Sequence, residues 1–140
     1  MKIIDQSKFE IYELDKNECL KLSSEADKAM KNTYPKSNAG FAVALLTKNG
    51  NIYTGISYNS DTYTLTMHSE AVALAHAAVH GETEIVAITG PNCHICKQLI
   101  YESSLRSKID TIVLIEEKGE FKQIPISKMM PYPWPEEPTL

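Results

Sequence analysis

Two short stretches hold most of the residues able to do chemistry. "MHSEAVALAHAAVHG" sets His68 and Glu70 one residue apart ahead of an alanine-rich run, and "PNCHICKQL" places Cys93 and Cys96 in a C-x-x-C spacing. Both pairs fall where a helical pattern begins. A helix start offers unpaired N–H groups and the positive end of the helix dipole, which favour a thiolate over a thiol. Such thiolates want a cation. One imidazole and two thiolates form a donor set suited to Zn²⁺, and three protein ligands leave the fourth tetrahedral position to water, as a catalytic rather than a structural site requires. Glu70, beside that metal without binding it, would take a proton from the water and pass it on. We therefore expect His68, Cys93 and Cys96 to hold one zinc ion per chain and Glu70 to serve as acid and base.

Taken singly, these residues carry little. An isolated His at a helix start is more often a capping or hydrogen-bonded side chain, and a Glu in a first turn is simply favourable to the dipole. A lone C-x-x-C also fits a thioredoxin-like redox pair, but that pair belongs to the first strand-helix unit of its fold and needs no His-x-Glu upstream. His94 lies between the two cysteines and is expected to turn aside, behind the ligands or at the surface. His76 and His80 lie further along the alanine-rich helix, where a core or surface role is expected. The combination discriminates. His-x-Glu followed some two dozen residues later by C-x-x-C is the signature of zinc-dependent nucleobase deaminases, in which the Glu is not a ligand.

The remaining pattern has to bring the two stretches together. A chain of 140 residues with 43% hydrophobic content fits one domain with a single core. Residues 1–14 form an N-terminal extension, with a short strand in "KFEIYEL", and residues 131–140 a proline-rich tail in which "PYPWPEEP" excludes helix. Cys19, Leu22 and Ala26 recur at helical spacing over 15–33, so Cys19 is expected to be a buried small hydrophobe. "GFAVALLTKNGNIYTGIS" holds two β-type runs around an Asn-Gly that signals a two-residue hairpin. A helix over 67–79, the strand "EIVAIT", a helix over 93–105 with Asn92 as its cap, and the strands "DTIVLIEE" and "EFKQIPI" follow. Strands alternating with helices after a hairpin indicate an α/β sandwich on a mixed sheet. The net charge of −4 and the absence of a Lys/Arg-rich run disfavour nucleic acid as a partner. No apolar stretch reaches membrane-spanning length and the start turns polar early, so neither a membrane partner nor a leader is expected and a cytoplasmic location is.

With these residues in place the chain resembles the cytidine deaminase family, of the small homotetrameric type. "TYPKSNAGFAVALLTKNGNIYTG" resembles the segment that opens that family's core. "CHICKQL" is similar to its C-x-x-C-Arg-Gln helix, and "MMPYPW" to its closing Leu-Leu-Pro-x-x-aromatic motif. The likeness runs over about residues 20–134. It implies a three-layer α-β-α sandwich with a mixed five-stranded sheet, and hydrolytic deamination of cytidine, deoxycytidine or a related amino-substituted base, as in pyrimidine salvage. It also implies that the backbone near Ser69 and the loop at Pro91 read the amino group and ring, and that Lys97 and Gln98 stand behind the ligands. Trp134 or Tyr132 would approach the active site of a neighbouring subunit.

Departures from the family pattern fall on the substrate side. Ser57 and Asn59 stand where its ribose-holding N-x-E motif has Asn and Glu, and Ala39 where an aromatic residue often faces the pyrimidine. Pro91 comes one place early, with Asn92 in the position of the proline before the first cysteine. His68 replaces a thiolate and Lys97 the Arg that offsets excess thiolate charge. The two changes agree, because a neutral imidazole leaves less charge to offset, and they make Lys97 a weak contact only. Ser57 and Asn59 keep open a non-nucleoside cyclic amidine, blasticidin-like or a modified base, as substrate. A zinc-bound assembly module without catalysis would have no use for Glu70.

Overall fold

The first fourteen residues carry structure of their own in the computed structural model, which describes residues 1–36 and 40–140. Lys2–Asp5 (β1) and Ile11–Glu13 (β2) pair antiparallel, and Tyr12 and Leu14 are buried in the core. Strand β1 was not among the expected elements. All four of its residues are exposed, so it is held by backbone pairing and leaves no alternation of apolar residues to read. Asp15 then caps α1 (Lys16–Ala29) through a capping box: its carboxylate accepts from the Glu18 N–H at 2.8 Å, and Glu18 accepts from the Asp15 N–H at 3.0 Å. Cys19, Leu22, Ala26 and Ala29 form the buried stripe of this helix.

The next run gives the hairpin β3 (Ala42–Thr47) and β4 (Ile52–Ile56). Its turn differs from the two-residue loop expected at Asn-Gly. The Thr47 N–H donates to the Asn51 carbonyl, and the Gly50 N–H returns to Thr47 with Gly50 at φ +87°. Lys48, Asn49 and Gly50 thus make a three-residue loop closed by a left-handed glycine. After it come α2 (Ser69–Val79), β5 (Ile85–Thr89), α3 (His94–Ser107), β6 (Ile112–Glu117) and β7 (Glu120–Pro125). The sheet order is β4-β3-β5-β6-β7, with β5 and β6 parallel across α3 and the other neighbours antiparallel.

Alternation along β3 separates the layers. Ala44 and Leu46 face Cys19, Leu22 and Ala26 of α1, whereas Val43 and Leu45 face Ala73 and Ala77 of α2 and Ile100, Tyr101 and Leu105 of α3. The result is the expected three-layer α/β sandwich on a mixed five-stranded sheet. Because α2 meets the sheet through alanines, it lies close. A Cβ on Gly55 of β4 would stand 2.1 Å from the Ser69 carbonyl oxygen and 2.3 Å from the Ala73 nitrogen. Gly55 therefore sets the height of the first turn of α2, which carries the residues of interest.

Candidate metal centre

His68 is the N-cap of α2 and Cys93 the N-cap of α3. Asn92 is not the cap of the second helix, as its type had led us to expect. The Cys93 sulfur takes that place, accepting from the Cys96 N–H at 3.4 Å, and frees the Asn92 side chain for other partners. The His68 Nδ1 lies 3.2 Å from the Cys96 Sγ and 3.4 Å from the Cys93 Sγ. The three donor atoms all lie within 4.8 Å of one another. A tetrahedral zinc with bonds of about 2.0–2.3 Å to nitrogen and sulfur needs donors about 3.5 Å apart, so this set fits the ion. Burial first of all, then the hydrogen bond to Cys93 and the charge of Glu70, push the Cys96 thiol up from its ordinary value. Burial thus works against a bare thiolate at Cys96. A deprotonated Cys96 needs a cation beside it.

Glu70, in the first turn of α2, is only 6% exposed. Its Oε1 accepts from the Ser69 hydroxyl at 2.8 Å and its Oε2 from the Asn92 Nδ2 at 2.8 Å. The second hydrogen of that amide goes to the Thr89 carbonyl at 3.1 Å. The reversed amide would set Oδ1 against two acceptors, so the orientation is fixed by its partners. Among the described residues Asn92 Oδ1 is buried without a partner, a situation that costs about 1–3 kcal/mol.

A cavity of about 460 Å³ opens onto this centre, and His68, Ser69, Glu70, Cys93, Ser57, Asn59 and Pro91 all line it. Sequence and structure thus bring these residues to one space. Met30, Phe41 and Phe121 give it apolar walls, and Asp27 and Glu116 add carboxylates. The Ser57 hydroxyl is buried and accepts the Phe41 N–H at 3.0 Å. Ala39 lies outside the described residues.

Residues 16–114 match the family model of the cytidine and deoxycytidylate deaminase zinc-binding region. The chain belongs to this family. Among solved structures it is similar to the cytidine deaminase of Burkholderia pseudomallei, with a TM-score of 0.70 and 24% identity over 81% of this chain and 96% of that one. The cytidine deaminase of Mycobacterium tuberculosis gives a TM-score of 0.67 at 20% identity, over 88% of this chain and 99% of that one. That of Bacillus anthracis gives 0.62 at 16%, over 83% and 89%. At these identities the likeness shows the cytidine deaminase fold.

Other expected residues of the deaminase domain sit elsewhere. Gln98 donates to the Trp134 carbonyl at 2.7 Å and to Glu102 at 3.0 Å, so its amide anchors the C-terminal tail to α3 and not the ligands. Tyr101 does the same through the Pro135 carbonyl at 2.8 Å. The rings of Tyr132 and Trp134 are exposed. Among the described residues no side-chain hydrogen bond or ion pair involves Lys97. His76 and His80 are exposed and bond the Thr54 and His76 carbonyls through Nδ1. Among the described residues no helix is long and apolar enough to cross a membrane. The residue that sequence reasoning misplaced is Asn92, and the signal was there: a side chain with two donors standing where the family has proline.

Proposed function

We propose that the chain is a zinc-dependent hydrolytic deaminase of cytidine, deoxycytidine or a related amino-substituted base. One observation carries this reading: a buried carboxylate, Glu70, lines the same cavity as His68 and Cys93, beside a set of three converging metal donors. When bound by His68, Cys93 and Cys96, zinc makes water acidic enough to serve as a nucleophile near neutral pH. Glu70 has a carboxylate oxygen to take the proton that this water gives up. It returns that proton to the ring nitrogen as the new C–O bond forms, then takes the remaining proton of the added hydroxyl and gives it to the exocyclic nitrogen as the C–N bond breaks, so that ammonia leaves and a keto product remains. Ser57, Asn59, Ser69 and Pro91 are the contacts for the rest of the substrate, with Lys97 an outlying neighbour of the ligands.

A second reading, a non-nucleoside cyclic amidine as substrate, is favoured by Ser57. Its short hydroxyl, which accepts the Phe41 N–H, replaces an amide, so Asn59 is the one amide where the family pattern has an Asn and a Glu. The family likeness favours assembly into a homo-oligomer, with a tetramer as its form.

The deciding experiment is ammonia release by zinc-loaded protein on cytidine, deoxycytidine, cytosine and a panel of cyclic amidines, beside Glu70→Gln. Turnover that vanishes in the variant while zinc stays at one per chain supports the proposal. Full turnover in Glu70→Gln overturns the assignment of Glu70. A zinc-loaded chain silent on every amine overturns the deaminase reading.

A further inference from the structure

We infer that Asn92 is a positioning residue for Glu70: its side-chain amide, anchored on the end of β5, holds the carboxylate in one orientation inside the cavity. The kinetic consequence rests on the deaminase reading above; the contact itself does not. The terminal torsion of a Glu side chain is soft, and nothing intrinsic to the residue would fix the plane of its oxygens. Here each oxygen has its own donor, Ser69 on Oε1 and Asn92 on Oε2, both at 2.8 Å. A carboxylate oxygen accepts more than one hydrogen bond, so each keeps a site for a proton in transit. The clamp leaves Glu70 able to react while removing its freedom to turn away.

Three further observations assign this task to Asn92 in particular. Its second hydrogen is spent on the Thr89 carbonyl at the end of β5, so the clamp is tied to the sheet and not only to the neighbouring helix. It does no capping, because Cys93 caps α3. Its oxygen is buried and has no partner among the described residues, a cost that an apolar side chain of the same size would avoid. A polar group kept inside under those terms is kept for its nitrogen. Asn92 and Ser69 are 8% and 2% exposed, so neither donor is easily lost to water.

Asn92→Leu, which removes the donor and the stranded oxygen together, tests the inference. We expect kcat to fall by about 10–100-fold with KM nearly unchanged, since a misplaced acid/base group costs chemistry and not binding. Zinc should remain at one per chain and Tm should hold within a few degrees. Asn92→Asp, which sets a second carboxylate against Glu70, should lose more. If Asn92 merely held the loop, zinc content, KM and Tm would all deteriorate with kcat, and the inference would be wrong. A readout independent of turnover comes from NMR of the zinc-loaded protein. The two Asn92 Hδ2 protons should be widely separated and slow to exchange, and only the one bonded to Oε2 should move in Glu70→Ala. Free exchange of both protons, or full kcat in Asn92→Leu while Glu70→Gln is dead, overturns the proposal. Should the wild type release no ammonia from any amine, the deaminase reading fails and the NMR result alone decides the contact.

Discussion

His68 and Cys93 occupy the same station on two different helices: each is the N-cap, the last residue with extended backbone before the first helical turn, at φ −72° and −71°. A ligand at an N-cap is fixed to its helix without being inside it. The two donors can therefore face each other across 3.4 Å while α2 and α3 pack side by side on the sheet. Cys96, in the first turn of α3, supplies the third donor from a buried position. With this geometry the helices need not bend to bring the donors together, and a metal held there would be coupled to the start of both.

Metal removal should therefore loosen two helix ends at once. Zinc at about 100 times its Kd stabilises a folded chain by about 2.7 kcal/mol, which for a domain of this size is about 5–15 °C in Tm. Zinc-loaded and chelated protein compared by calorimetry should differ by that order, and His68→Ala should abolish the difference along with the bound zinc. Equal melting of loaded and stripped protein would mean that the centre forms without help from the ion.

Gly55→Ala should damage the centre from outside it. The added Cβ would sit 2.1 Å from the Ser69 carbonyl oxygen, which is backbone and cannot rotate aside, so the first turn of α2 must rise from the sheet with His68 and Glu70 on it. Overpacking of this kind costs about 1–3 kcal/mol, and here zinc affinity should fall with stability. Gly50→Ala is the control. It strains a left-handed turn in open space at about 1–2 kcal/mol, and zinc affinity should be unchanged. Equal zinc affinity in both variants would show that the height of α2 does not govern the site.

How much of this was legible in the sequence depended on whether a residue's role was local. The convergence of His68, Cys93, Cys96 and Glu70 was legible because metal chemistry calls for particular donor types at helix starts, and the layers were legible because β3 alternates for two buried faces. Strand β1 was not, since its residues are all exposed and its pairing with β2 leaves no apolar alternation to read. The Asn-Gly turn was placed correctly and its loop length was not, because hydrogen bonding at Thr47 and Asn51 decides the length after the strands pair. Asn92 was misassigned for a related reason. Its type suits a cap, and only the arrival of Glu70 from another helix gives its amide a better partner.

Glu82 predicts a pH dependence of stability far from the centre. The Thr47 hydroxyl, then the Tyr53 hydroxyl, with Asn51 and Asn49 contributing, lower its carboxylate from an ordinary 4.5 to about 2. The Thr47 and Asn51 contacts measure 2.6 and 2.8 Å. A depressed folded value means that the stabilisation is fully present above about 4.5 and is lost as pH falls through about 2. Glu82→Gln should therefore melt below wild type at pH 6, and the gap should close as the pH approaches 2. A gap that stays constant over that range would show that ionisation of Glu82 plays no part.

The cavity also predicts a preference between nucleoside and nucleotide. Among its described lining residues are Asp27, Glu70 and Glu116 and no Lys or Arg. Glu116 is held in place by the Ser23 hydroxyl at 3.0 Å. A phosphate brought into this space meets like charge on partly exposed carboxylates and finds no cation to offset it. Charges a few ångströms apart at an intermediate effective dielectric repel by about 1–3 kcal/mol, or roughly 10–100-fold in kcat/KM. Zinc-loaded protein should then favour cytidine over cytidine 5′-monophosphate by that factor. The ratio should shrink in the double variant Asp27→Asn, Glu116→Gln, and shrink with added salt as these carboxylates are screened. A preference for the monophosphate would place a cation near the cavity that the described residues do not supply, and the nearest source would be a second copy of the chain.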